Sequence, residues 1–114
     1  MSKRIYTHLL QDMLDAIDKI DQYTADYDFA EFENNSLVID GVVRNLEIIG
    51  EAANHIPEEI QLQYTTIPWA QIIGLRNIVI HEYFGIDTSI IWTIATSDLP
   101  QLRSAVEKII SEQK

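Results

Sequence analysis

The sequence predicts an all-α fold, a compact bundle of four to five helices in one domain spanning residues 1–114. Three observations carry this reading. Every long segment repeats its apolar residues with the 3.6-residue period of an amphipathic helix. No segment sustains the period-two alternation of a half-buried strand. Glycine and proline are few, and Pro57, Pro68, Gly85 and Pro100 fall at segment ends. A chain of 114 residues is long enough to build one core without disulfide or metal staples.

The first helix is expected over residues 3–23. Ile5, Leu9, Met13, Ile17 and Ile20 make its apolar stripe, with Asp12, Asp15 and Asp18 on the wet side. Asp26-Tyr27-Asp28 breaks the pattern, and residues 29–35 have room for one extra turn. Asn35 or Ser36 caps the second helix, which runs to about residue 55 on a stripe of Val38, Val42, Leu46, Ile49, Ala53 and Ile56. Pro57 ends it, and residues 58–64 are a connector with room for one turn of helix. Thr65-Thr66-Ile67-Pro68 opens a third helix, with Pro68 in the first turn, where its missing N–H costs nothing. Its apolar set is Trp69, Ile72, Ile73, Val79 and Ile80, and Gly85 stops it. Asp87 caps a short fourth helix carrying Ile90, Ile91 and Ile94. Ser97 caps the last, with Pro100 in its first turn and Leu102, Val106, Ile109 and Ile110 facing in.

The bulk chemistry excludes several function classes. There is no cysteine, so disulfides and thiolate metal sites are ruled out, which fits a reducing cytoplasm. Residues 1–8 have no signal-peptide core, and no apolar run approaches the roughly 20 residues that cross a bilayer. A cytoplasmic protein is expected. A net charge of −10 with eight basic residues argues against a broad duplex-binding surface, because phosphate recognition draws on clustered Lys and Arg. A small site holding one or two phosphates needs only local positive charge and stays open, as does a basic protein partner.

Between Lys19 and Arg103 the chain places only two cations, Arg44 and Arg76. Asp40, Arg44, Glu47 and Glu51 are spaced to share one face of the second helix. That face is either a solvated surface with an internal ion pair or one wall of a cleft. Arg76, His81 and Tyr83 interrupt an otherwise apolar run over residues 74–85. Arg offers planar donors matched to phosphate oxygens and stays charged. Imidazole titrates near neutrality, so it can take a proton from a 2′-hydroxyl or give one to a leaving 5′-oxygen. Arg76 and His81 therefore suit metal-independent cleavage of RNA, and Asn77 adds an amide that can orient either group. Residues five apart on a straight helix diverge by about 140°. The pair must then meet at a frayed helix end or across two chains. The competing reading needs no function: Arg76 pairs with Glu82 or Glu51, and His81 bonds to backbone. His8 and His55 read as surface residues. The three His lack metal-ligand spacing, so no metal is expected.

Arg76-Asn77-Ile78-Val79-Ile80-His81-Glu82-Tyr83 resembles the Arg-x4-His-x-Tyr motif of HepT-like toxins, a branch of the HEPN superfamily. The flanks are similar too: residues 44–52 to that family's second-helix signature, Ile67-Pro68-Trp69 and Gly74-Leu75 to its entry to the motif helix, and Trp92 and Asp98-Leu99-Pro100 further on. The resemblance covers nearly the whole chain. It implies a homodimer whose Arg–His pairs meet in an interface cleft, acting as an endoribonuclease on RNA, in some members tRNA. It implies a partner, a minimal nucleotidyltransferase antitoxin, that uses ATP to place AMP on the motif tyrosine in a type VII-like toxin–antitoxin pair. Carried across, Arg76 and His81 are catalytic, Tyr83 is the modified residue, and Asn77, Arg44 and Glu51 support the cleft. The chain itself needs no cofactor. The alternative is a non-catalytic, nucleotide-binding or regulatory helical partner of the same nucleotidyltransferase.

Overall fold

The computed structural model describes residues 3–77 and 87–113. Seven α-helices and no strand occur among them, which bears out the all-α class. Helix α1 (Lys3–Thr24) buries Leu10, Met13, Ile17 and Ile20 completely and Tyr6 and Ala16 nearly so. Leu9, expected in this stripe, is only half-buried, and Leu10 takes the core position. Helix α2 (Phe29–Glu33) is the extra turn. It is closed by a capping box in which Glu31 N donates to Asp28 Oδ1 at 2.8 Å and Asp28 N donates to Glu31 Oε1 at 3.0 Å. Helix α3 (Ser36–Asn54) is capped by Asn35, whose Oδ1 accepts from Val38 N at 3.1 Å. Its predicted stripe is in the core, except that Val38 is half-buried.

Helices α1 and α3 make the principal interhelical contact. Tyr23, late in α1, lies on Gly41, early in α3, while Leu9, early in α1, shares a groove with His55 just beyond α3. The two helices are therefore antiparallel. After α4 (Glu58–Gln63), Ile67 to Trp69 make a tight turn: Trp69 N donates to Ile67 O at 2.9 Å across Pro68 at φ −78°, ψ 72°. Pro68 thus sits just outside α5 (Trp69–Gly74) rather than in its first turn.

The third predicted helix is not regular throughout its described part. Regular α geometry ends at Gly74, and Leu75–Asn77 tighten into a 3₁₀ turn, with Leu75 N shared between Ile72 O and Ile73 O. Glycine is a poor α former, so the tightening begins where helix propensity is lowest. The predicted continuation to Gly85, with Val79 and Ile80, lies outside the described residues.

Helix α6 (Thr88–Thr93) is capped by Asp87 as expected, but Ile90 on it is exposed and Ile91 is the core residue. Ser97 does not cap a separate last helix. Residues Ile94–Asp98 form a π turn that joins α6 to α7 (Leu99–Glu112) without a break. The reason is Pro100, which has no N–H to give the carbonyl four residues back and whose ring would clash there. Widening the helix lets Leu99 N donate to Ile94 O instead and carries the chain past the proline. Helix α7 buries Leu102, Val106 and Ile109. It lies antiparallel to α1: Arg103 near its start pairs with Asp18 and Asp21 late in α1, and Tyr6 Oη–H donates to Gln113 Oε1 at 2.8 Å at the other end. No helix among the described residues is long and apolar enough to cross a membrane.

Candidate functional site

Helix α3 presents two consecutive residues, Gly50 and Glu51, to the 3₁₀ turn that carries Arg76. Gly50 is buried, and its bare Cα faces the backbone of that turn. Glu51 is at the rim, and its Oε2 lies 3.4 Å from the NH1 of Arg76. Its other oxygen, Oε1, is hydrogen-bonded to Nε2 of His55 at 3.0 Å. One carboxylate thus bridges an arginine and a histidine. The hydrogen bond with His55 is the main cause that holds the Glu51 carboxyl below its ordinary value; burial opposes it, and the Arg76 guanidinium adds to the lowering.

The rest of the polar face of α3 divides. Arg44 pairs with Glu47 at 3.7 Å rather than with Glu51, and it is two-thirds exposed. Arg44, Glu47, Glu51 and His55 nevertheless line one shallow groove with Leu9 and Asp12 of α1. The two readings of this face thus each hold for part of it: a solvated i,i+3 pair at Arg44, and at Glu51 a link to Arg76. Arg76 is half-buried at the rim, with 35% of its side chain exposed, and Asn77 beside it is exposed. His81 and Tyr83 lie outside the described residues. Of the predicted site residues, the structure therefore joins Arg76 and Glu51, and sets Arg44 on the same groove as Glu51.

His55 is the residue that sequence reasoning undervalued. It is on the surface, as expected, and the signal of its role was its i,i+4 spacing from Glu51. His8 is exposed. Among the described residues no group of three His, Cys, Asp or Glu stands close enough to hold a metal ion. A larger, mainly apolar cavity of about 410 Å³ lies between α5 and α7, lined by Ile67, Ile72, Leu75, Leu99 and Leu102 among others. Among the described residues its only titratable lining residue is Asp98, and it shares none of them with the polar groove.

The arrangement defines a small acidic helical-bundle protein with an arginine paired to a glutamate that lines a polar groove, on the segment that leads into a histidine. The chain belongs to the HepT-like family, described as ribonuclease HepT-like, which matches residues 13–109. Full-length relatives bear this out. "Putative RNase MJ1380" of Methanocaldococcus jannaschii is 41% identical over 107 residues, covering 94% of this chain and 98% of that protein. "Putative RNase MJ0125" of the same organism is 39% identical over 112 residues, 98% and 97% of the two chains. "Probable ribonuclease HepT" of Thermococcus cleftensis is 35% identical over 107 residues, 94% and 97% of the two chains. No solved structure matches the chain.

Proposed function

We propose that this protein is the toxin of a type VII-like toxin–antitoxin pair, a metal-independent endoribonuclease that works as a homodimer with Arg76 and His81 as its catalytic groups. The observation that carries the reading is the placement of Arg76. Its guanidinium stands at a rim, tied by one long contact to Glu51, in a family whose relatives are named for ribonuclease activity. A phosphate offering shorter, bidentate contacts can draw it from that partner.

In the proposed reaction the 2′-oxygen of a ribose attacks the adjacent phosphorus as its proton leaves, and the bond to the 5′-oxygen breaks. The products are a cyclic phosphate and a 5′-hydroxyl. His81 moves the proton at one of these two oxygens, and Arg76 neutralises the charge that builds on the phosphoryl oxygens. The second copy supplies the matching Arg76 and His81 across a shared cleft, with Asn77, Arg44 and Glu51 supporting it. The RNA is single-stranded or looped, tRNA being the first to test, because an acidic body suits a local contact rather than a long duplex track. A nucleotidyltransferase partner then silences the site. The Tyr83 oxygen attacks the α-phosphorus of ATP, pyrophosphate leaves, and the tyrosine carries AMP. The added phosphate and its bulk repel RNA from the cleft.

The deciding experiment is incubation with total RNA in the presence of EDTA. Cleavage to cyclic phosphate ends, lost in both Arg76→Ala and His81→Ala with the circular dichroism unchanged, is the expected result. Cleavage that survives both substitutions would overturn the assignment. RNA left intact by a protein that binds nucleotide would favour the regulatory alternative. Incubation with the partner and ATP is expected to add the mass of AMP at Tyr83, and an unmodified tyrosine would remove that part.

A further inference from the structure

A glycine inside a helix needs a reason, since alanine suits the same conformation better. Gly50 sits in the second half of α3, and its backbone is ordinary: no residue among those described has a positive φ. Conformational freedom is therefore not what the position requires. Space is. A Cβ built on Gly50 would lie 2.6 Å from the backbone nitrogen of Arg76 and 3.0 Å from the carbonyl oxygens of Ile72 and Ile73. All three are backbone atoms, of the last turn of α5 and the 3₁₀ turn that follows it, and cannot swing aside as a side chain would. The other described glycines differ. A Cβ on Gly41 would meet only the ring of Tyr23, which is partly exposed, and one on Gly74 would meet nothing within 4 Å among the described residues.

We propose that Gly50 is a positioning residue for Arg76: its missing Cβ lets α3 rest directly on the turn that carries the arginine, so that α3 sets where the guanidinium stands. Glu51, the next residue, holds the far end of the same side chain. The dipeptide thus fixes Arg76 twice, at its backbone through Gly50 and at its guanidinium through Glu51. The proposal deepens the ribonuclease reading and rests on it for its catalytic consequence. Its geometric half stands alone.

The test has two readouts. In the wild-type protein, the Gly50 Hα on the Cβ side and the Arg76 amide proton are expected to give a strong nuclear Overhauser contact, and its absence would overturn the close approach. In Gly50→Ala, the turn must retreat by up to about an ångström, and the EDTA-resistant cleavage rate is expected to fall up to ~10²-fold. The fall should lie in kcat, with KM for RNA little changed. Gly41→Ala, whose Cβ would meet only the movable ring of Tyr23, should retain the wild-type rate. Wild-type kcat in Gly50→Ala would overturn the proposal. Cleavage that survives Arg76→Ala would instead count against the ribonuclease assignment, while the nuclear Overhauser contact would still report on Gly50.

Discussion

Phe32 is the one fully buried side chain of α2, and replacing it with alanine tests how that short helix is attached. Its ring lies 5.1 Å from that of Trp92 at 42°, and Phe29 adds a second contact to the same indole at 6.3 Å. Truncating a buried Phe costs about 3–5 kcal/mol through lost transfer and the cavity left behind. The tilted aromatic pair accounts for roughly 0.5–1.5 kcal/mol of that. Helix α2 has only five residues, so it can sag into part of the void, and the low end near 3 kcal/mol is expected. That is a large share of the roughly 5–15 kcal/mol that holds a domain together. With a urea slope near 1.5 kcal/mol/M, the midpoint falls by about 2 M. Urea denaturation followed by tryptophan fluorescence and circular dichroism, at one protein concentration for wild type and variant, measures it. A loss under ~1 kcal/mol at an unchanged slope would refute the packing argument. A Phe32/Trp92 double-mutant cycle should return a coupling of about 0.5–1.5 kcal/mol, and a value near zero would show that the rings merely lie close.

Three further outcomes are expected. Asn35→Ala removes the cap of α3 and the hydrogen bond from Asn35 Nδ2 to Tyr27 Oη, and should cost about 1 kcal/mol, a fall of roughly 4 °C in Tm by calorimetry. Arg103→Leu leaves Asp18 and Asp21 without their cation on a chain of net charge −10. These groups are half-exposed, so the loss should be about 1 kcal/mol and should shrink at high ionic strength, which paired urea titrations can check. Glu51 has a folded-state pKa below its ordinary 4.5, so its contacts stabilise the fold above that value and fade as pH falls through the lowered one. Wild type should therefore exceed Glu51→Gln in stability near neutral pH, and the two should converge in acid. A gap that persists at the acid end would contradict the sign.

The parts of the fold legible in the sequence were those set by local rules. The core stripe of α3, the Asp87 cap and the extra turn after Asp28 follow from periodicity and capping alone. The misses come where one residue's backbone chemistry overrides the pattern. Periodicity runs evenly past Gly74, yet α geometry gives way to a 3₁₀ turn over Leu75–Asn77. Ser97 and Pro100 resemble a helix start, yet the chain absorbs the proline by widening. In the site, the sequence offered Glu51 as one of two partners for Arg76, in the reading that needs no function, and tertiary packing brings these residues, 25 apart, to 3.4 Å. Gly50 left its trace as an unexplained glycine in a helix, and only the neighbouring turn explains it.

The hydrogen bond between Tyr6 and Gln113 joins side chains 107 positions apart in the chain. It continues through Gln113 Nε2 to the Tyr64 hydroxyl, which donates to Glu112. The start of the first helix and the finish of the last are therefore next-door neighbours in space, and a short flexible linker between them would span little distance. A circular permutant that joins these ends and opens the chain at the exposed turn near Asp26 keeps every helix pair of the core intact. In such a rewired chain α2 and α3 come first, and Gly50, Glu51 and the arginine turn are all synthesised before α1.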